Sequence, residues 1–216
     1  MEAIFDFLKN LHTEEGLKQL ILSGGLLALI LIVFAETGLL VGFFLPGDSL
    51  LVTAGILANP HFSQGKLDIW TMNFSLMLAA IVGDQVGYFL GKKTGQAIFS
   101  RPDTRFFKKK HAIAAHEFYV KYGAAAIVLA RFVPIMRTFV PFIAGVAEMP
   151  YWRFVAFNII GGIVWVTSML WLGYALGHTP YAKNLHQIII IVVLISILPL
   201  IFGALKVFLK NRKAKN

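Results

Sequence analysis

Residues 123–149 read GAAAIVLARFVPIMRTFVPFIAGVAEM. The stretch is long and apolar enough to suggest a membrane-crossing helix, since about 20 residues at 1.5 Å each match a hydrocarbon core of about 30 Å. Its other residues argue against that. Pro134 and Pro141 lack a backbone N–H and interrupt a helical ladder, and an arginine at the bilayer centre, as Arg131 or Arg137 would be, costs roughly 2.5–3.5 kcal/mol or more. Irregular backbone at membrane depth is tolerated where it is buried in protein or lines a wet cavity. The stretch therefore predicts a re-entrant segment over residues 124–150 that enters and leaves on one face.

The surrounding charges give the same answer. Other apolar stretches fall at about 20–58, 72–91, 154–177 and 186–209. The connection 92–122 carries Lys92, Lys93, Arg101, Arg105, Lys108, Lys109, Lys110 and Lys121, and the tail carries Lys206, Lys210, Arg212, Lys213 and Lys215. Basic flanks favour the cytoplasmic side. If 124–147 crossed, these two basic clusters would lie on opposite faces; a re-entrant segment returns both to the cytoplasm. Pro102, Gly123 and the apolar positions Phe107, Ala114 and Phe118 make 92–122 a candidate interfacial amphipathic helix.

The first half repeats the problem. Residues 36–49, ETGLLVGFFLPGDS, place Glu36 and Asp48 in an apolar stretch, and residues 20–58 as one straight helix would run about 58 Å, nearly twice the hydrocarbon thickness. Pro46-Gly47 supplies the break for a fold-back. VTAGILA, which follows this break, resembles FIAGVAE in the second half. The expected fold is an all-α polytopic membrane protein formed by one domain, residues 1–216. It has two facing re-entrant hairpins (20–58 and 124–150) as an inverted repeat, spanning helices at 72–91, 154–177 and 186–209, and interfacial helices.

Composition agrees with a membrane protein: of 216 residues 57% are hydrophobic and 14% charged, and the mean hydropathy is +0.72. The net charge of +9 is read as membrane flanks beside anionic lipid, so no nucleic-acid partner is expected. The absence of cysteine excludes disulfides, thiolate metal sites and a cysteine nucleophile. The first 19 residues mix Glu2, Asp6, Glu14 and Glu15 with Lys9 and Lys18, which predicts no removable signal peptide.

Within the apolar stretches Glu36, Asp48 and Asp84 stand against Arg131 and Arg137. Intramembrane ionisable residues pair with one another or line a substrate or proton path. Arginine presents a planar fork suited to phosphate oxygens, so Arg131 and Arg137 are candidate ligands of a substrate phosphate. Glu36 and Asp48 are candidates for proton coupling or charge pairing. Asp84, Pro46, Gly47, Pro134 and Pro141 are supporting candidates, Asp84 with capping or loop anchoring as an equal reading. The alternative is a structural clamp in which the acids and arginines hold the hairpins together.

Together FAETGLLVGFFLPGDSLLVTAGILA, GDQVGYFLGKKTG, KYGAAAIVLARFVPIMRTFVPFIAGVAEM and FNIIGGIVW resemble the bacterial DedA family, related to eukaryotic lipid scramblases that share the VTT domain. The resemblance covers about residues 20–178. It implies an inner-membrane lipid transporter, a flippase or scramblase for undecaprenyl (polyprenyl) phosphate or, in some members, phosphatidylethanolamine, dependent on the proton motive force and serving envelope maintenance. It places the family's functional acids on Glu36 and Asp48 and its functional arginines on Arg131 and Arg137. The partners expected are a phospholipid or polyprenyl phosphate and protons. A proton-coupled carrier of a small ion or solute and a non-transporting assembly factor stay open.

Other signals carry less. His111 and His116 in HAIAAHE are five apart, unlike the i, i+4 spacing of a zinc helix, and GKKTG lacks the spacing of a phosphate-binding loop. No metal, no cofactor and no enzyme activity are expected. Trp152, Trp165, Trp171, Tyr151 and Tyr174 are read as interface anchors and helix packing, and Gly161-Gly162 as a close helix approach.

Single cysteines introduced at Lys110 and Lys213 should label from the cytoplasmic side, and cysteines in 59–70 and 178–187 from the opposite side. Labelling of Lys110 and Lys213 positions from opposite faces would restore the extra crossing and remove the second re-entrant hairpin.

Overall fold

The computed structural model describes residues 14–40, 45, 47–63, 68–99 and 125–179. Among these there is helix and no strand. The elements are α1 (Glu14–Gly38), α2 (Gly47–Ala58), α3 (Pro60–Ser63), α4 (Ile69–Phe99), α5 (Ala125–Ala130), α6 (Pro134–Val146) and α7 (Tyr151–Leu176). The helix expected at 186–209, most of the region 92–122 expected to be interfacial, Pro46 and the basic tail lie outside the described residues.

Two described helices are long and apolar enough to cross a membrane: Ile69–Gly95, mean hydropathy 1.4, and Tyr151–Leu176, mean hydropathy 1.8. They contain the expected segments 72–91 and nearly all of 154–177, extended by the polar ends that the hydropathy reading trimmed. Asp68 begins α4 by accepting hydrogen bonds from Thr71 N at 2.7 Å and Thr71 Oγ1 at 2.6 Å. These bonds hold its carboxyl below the usual range, as expected for a helix cap.

Each half holds a pair of shorter helices separated by a break. In the second half Val133 is extended (φ −117°, ψ 111°), the conformation that a following proline imposes, so α5 ends at Ala130 and α6 restarts at Pro134. Pro141 does not break the chain, contrary to the expectation from its missing donor. It lies buried inside α6, where a Cβ built on Gly87 of α4 would come within 3.5 Å of it. In the first half α1 ends at Gly38 and α2 starts at Gly47. The apolar stretch 20–58 contains a further interruption that its hydropathy concealed: Gly25 has φ 56°, ψ −154°, a conformation open to glycine and strained for other residues.

The halves pack crosswise. α2 lies chiefly on α7, and α6 chiefly on α4, so each short helix rests on the long helix of the other half. The glycines of the two similar motifs make this approach possible. A Cβ on Gly55 of VTAGILA would sit 2.0 Å from the Leu170 carbonyl oxygen, and one on Gly145 of FIAGVAE 2.0 Å from the Tyr88 carbonyl oxygen. α1 also approaches α4 at Gly38 and Gly83, where a Cβ on Gly38 would sit 2.9 Å from the Gly83 carbonyl oxygen. One buried apolar cluster (Leu29, Leu51, Leu76, Trp165, Leu170) joins α1, α2, α4 and α7, and a second (Tyr88, Val140, Ala144, Phe154) joins α4, α6 and α7. Leu27, Leu31, Phe74, Leu78, Leu129, Trp152 and Ile160 are exposed, an apolar outer surface suited to lipid.

α6 ends in a Schellman turn: Met149 N donates to Ala144 O at 3.0 Å and Glu148 N to Gly145 O at 3.1 Å. Its left-handed residue is Glu148, φ 53°, where glycine is the usual choice. Glu148→Gly should stabilise the detergent-solubilised protein by about 1 kcal/mol, read as a higher thermal midpoint. A lower midpoint would show that the Glu148 side chain contributes more than its backbone conformation costs.

Candidate functional site: two buried arginine clusters

The breaks deliver the charged residues to the interior. Glu36 lies in the last turn of α1, Asp48 in the first turn of α2, Asp84 in mid-α4, Arg131 in the turn after α5 and Arg137 in the first turns of α6. All five are at most 5% exposed. Their hydrogen bonds divide them into two clusters.

In the first cluster Arg137 joins the two halves. Its Nη1 donates to Asp48 Oδ1 at 2.5 Å and its Nη2 to Glu36 Oε1. Trp165 Nε1 donates to the same Asp48 oxygen at 2.8 Å, and the Trp165 ring lies beneath the guanidinium, 4.7 Å from ring centroid to Cζ. Thr138 Oγ1 donates to the Glu36 carbonyl oxygen at 3.1 Å. Asp48 also sits at the N-terminus of α2, where the helix dipole favours an anion. Gly47 is required by contact: a Cβ there would meet Glu36 Oε2 at 1.7 Å.

In the second cluster Arg131 Nη2 donates to Asp84 Oδ2 and to Asn158 Oδ1, with a longer contact to Asn158 O at 3.4 Å. Asn158 Nδ2 is anchored on the Ile81 carbonyl oxygen at 3.0 Å. The Arg131 stem runs over Gly161, where an added Cβ would lie 2.9 Å from Arg131 Cδ. The Gly161-Gly162 pair thus makes room for this side chain as well as for a neighbouring helix. Asp84 pairs with Arg131, which lies in the turn after α5, so the contact ties that break to α4. Pro134 places the break between the two arginines; Pro46 lies outside the described residues.

The sequence reading missed Trp165 and Asn158. Of the two sequence readings for Trp165, interface anchor and helix packing, burial supports packing, and its N–H also donates to Asp48. A signal was present: Asn158, Gly162 and Trp165 are spaced by four and three along α7, which puts a polar group, a gap and an N–H donor on one helix face. Among the described residues no group of histidine, aspartate or glutamate side chains has the arrangement of a metal site.

Residues 45–175 match the VTT domain. The chain is 40% identical over 215 residues to Protein DedA of Escherichia coli K12, covering 98% of this chain and 95% of that protein. This chain belongs to the DedA family of membrane proteins. The chain is also similar to an uncharacterized membrane protein of Mycobacterium tuberculosis H37Rv, 44% identical over 188 residues (86% of this chain, 81% of that one). Inner membrane protein YqjA of Escherichia coli K12 is 34% identical over 176 residues (81% of this chain, 78% of that one). No solved structure gives a significant match. The matched VTT domain contains both arginines, Asp48, Asp84, Asn158 and Trp165, whereas Glu36 precedes it.

Gly47→Ala should push Glu36 off Arg137 and destabilise the protein by roughly 1–3 kcal/mol, measured as thermal unfolding in detergent. The penalty should shrink in a Glu36→Ala background, because the clashing carboxylate is gone. Equal penalties in both backgrounds would place the cost elsewhere than at this contact.

Proposed function

We propose that this DedA-family protein moves an anionic lipid, with undecaprenyl (polyprenyl) phosphate as first candidate, across the bacterial inner membrane, linked to the proton motive force. The observation that carries the reading is the burial of Arg131 and Arg137 beside a helix break in a bundle whose outer surface is apolar. Cations kept at such a place are costly, and a lipid phosphate is the anion that reaches it from the surrounding bilayer. The two helix–break–helix units fit re-entrant hairpins entering from opposite faces, with the headgroup moving between them while the tail stays in lipid. The similarity to YqjA, an inner membrane protein, supports the location. The reading is transport without covalent chemistry, so no enzyme activity is proposed.

A second reading is favoured by the pairing itself. Both terminal nitrogens of Arg137 are on carboxylates, as a structural clamp requires. A clamp alone supports an assembly factor with no flux. A solute carrier using the same charges would move solute and leave lipid in place.

Purified protein in proteoliposomes should accelerate transbilayer movement of labelled polyprenyl phosphate, and a pH gradient should bias it. Glu36→Gln or Asp48→Asn should remove the gradient dependence while the protein remains folded. Folded protein with no lipid flux would reject the transport reading, and gradient dependence surviving in both variants would remove these two acids from coupling.

A further inference from the structure

The two arginines are held differently. Arg137 is committed through both Nη atoms to two carboxylates, and the Trp165 ring backs its guanidinium. Arg131 is committed through Nη2 alone, to Asp84 and Asn158. Arg131 Nε and Nη1 are buried without a hydrogen-bond partner among the described residues, and so is Asp84 Oδ1. Buried donors are normally matched; the Arg137–Glu36 pair leaves one donor, Arg137 Nε, and one acceptor, Glu36 Oε2, unmatched, whereas the Arg131–Asp84 pair leaves two donors and an acceptor.

A guanidinium grips two oxygens at once along either of two edges: the end, through Nη1 and Nη2, or the side, through Nε and Nη2. Nη2 is common to both. Nη2 gives one hydrogen to each edge, and Asp84 and Asn158 take one each, so neither edge of Arg131 offers a free pair of donors. Departure of Asp84 frees the Nη2 hydrogen it holds and opens one edge, beside an Nε and an Nη1 that are already unmatched. Arg137 has one unmatched donor, Nε, and departure of Glu36 from Nη2 would still leave Asp48 on Nη1, where Trp165 Nε1 also holds it at 2.8 Å, so a second counter-charge stays on this guanidinium. Asn158 stays in place through either event, because its Nδ2 is anchored on the Ile81 carbonyl oxygen at 3.0 Å. The neighbouring α7 residues Ile160 and Ile163 are exposed, an apolar surface beside the site that suits a lipid tail.

Resting on the lipid-phosphate reading above, we infer that Arg131 is the arginine that receives the phosphate, that Asp84 is the resident anion the phosphate displaces from it, and that Asn158 is a positioning residue that keeps Nη2 aimed during the exchange. Arg137 remains the clamp between the halves. One anion replaces another on the same nitrogen, so the guanidinium is never left without a counter-charge.

The test is equilibrium binding of a radiolabelled short-chain polyprenyl monophosphate to the full-length protein in detergent, with inorganic phosphate as competitor. Removing the resident anion should tighten binding: Asp84→Asn and Asp84→Ser should each gain about tenfold, whereas Arg131→Lys should lose about tenfold, the scale of one charge-assisted hydrogen bond. Moving the anion rather than removing it, in Asp84→Asn with Asn158→Asp, should return the affinity to near the wild-type value. A structural ion pair predicts no gain at Asp84 and no such restoration. Unchanged or weaker binding in folded Asp84 variants overturns the exchange, as does failure of both Asp84 variants to fold, which would make the carboxylate indispensable to the bundle. Arg137→Lys losing as much affinity as Arg131→Lys overturns the division of roles. Wild-type protein that binds no polyprenyl monophosphate rejects the lipid-phosphate reading itself, and inorganic phosphate competing at equal concentration reassigns the site to a soluble phosphate.

Discussion

Arg137 ties the molecule together. It stands on α6 of the second half and holds Glu36 of α1 and Asp48 of α2 in the first, across the interruption between those two helices. Removing one partner of a buried ion pair typically costs about 3–5 kcal/mol, because the other charge is left unpaired where water cannot reach it. Both carboxylates, the guanidinium and the Trp165 N–H therefore have to meet together, and their meeting fixes where α1 ends, where α2 begins and how α6 and α7 approach them. The apolar clusters could tolerate small slides of one helix along another; this group of four side chains cannot.

Glycine is the second constraint, and it acts through distance. Helices joined by a central ion pair must come close, and the crossings at Gly38 with Gly83, Gly55 with α7 and Gly145 with α4 leave no room for a side chain. The crosswise packing follows. Each short helix lies on the long helix of the other half, so neither half keeps its arrangement without the other. Small residues at helix contacts are the usual solution inside a bilayer, where apolar burial gives helices little reason to prefer one another over lipid.

The same constraint bears on function. A bundle held by buried charge has an interior that an anion can enter by substitution, with one carboxylate leaving an arginine as another anion arrives. The two clusters differ in how readily they permit this: two carboxylates and an aromatic ring secure Arg137, one carboxylate secures Arg131. In the exchange proposed above, the part that holds and the part that exchanges rest on the same residue type six positions apart.

Much of this was legible in the sequence because hydropathy and proline chemistry are local. The apolar stretches 72–91 and 154–177, which the helices 69–99 and 151–176 contain nearly in full, the break before Pro134 and the five buried ionisable residues follow from hydropathy, ring geometry and the cost of charge in an apolar segment. Local chemistry also misled at Pro141, since a missing donor can be accommodated inside a buried helix, and it passed over Gly25, because a kink there leaves the hydropathy unchanged. Which acid meets which arginine was decided only by the tertiary structure. Sequence spacing places Glu36, Asp48, Asp84, Arg131 and Arg137 in the interior but does not say that Arg137 takes two carboxylates and Arg131 one, because partners 47 to 101 positions apart are chosen by helix crossing and not by chain distance. Trp165 and Asn158 became part of the site for the same reason: a tryptophan and an asparagine on an apolar helix are ambiguous until a neighbouring helix turns a charge toward them.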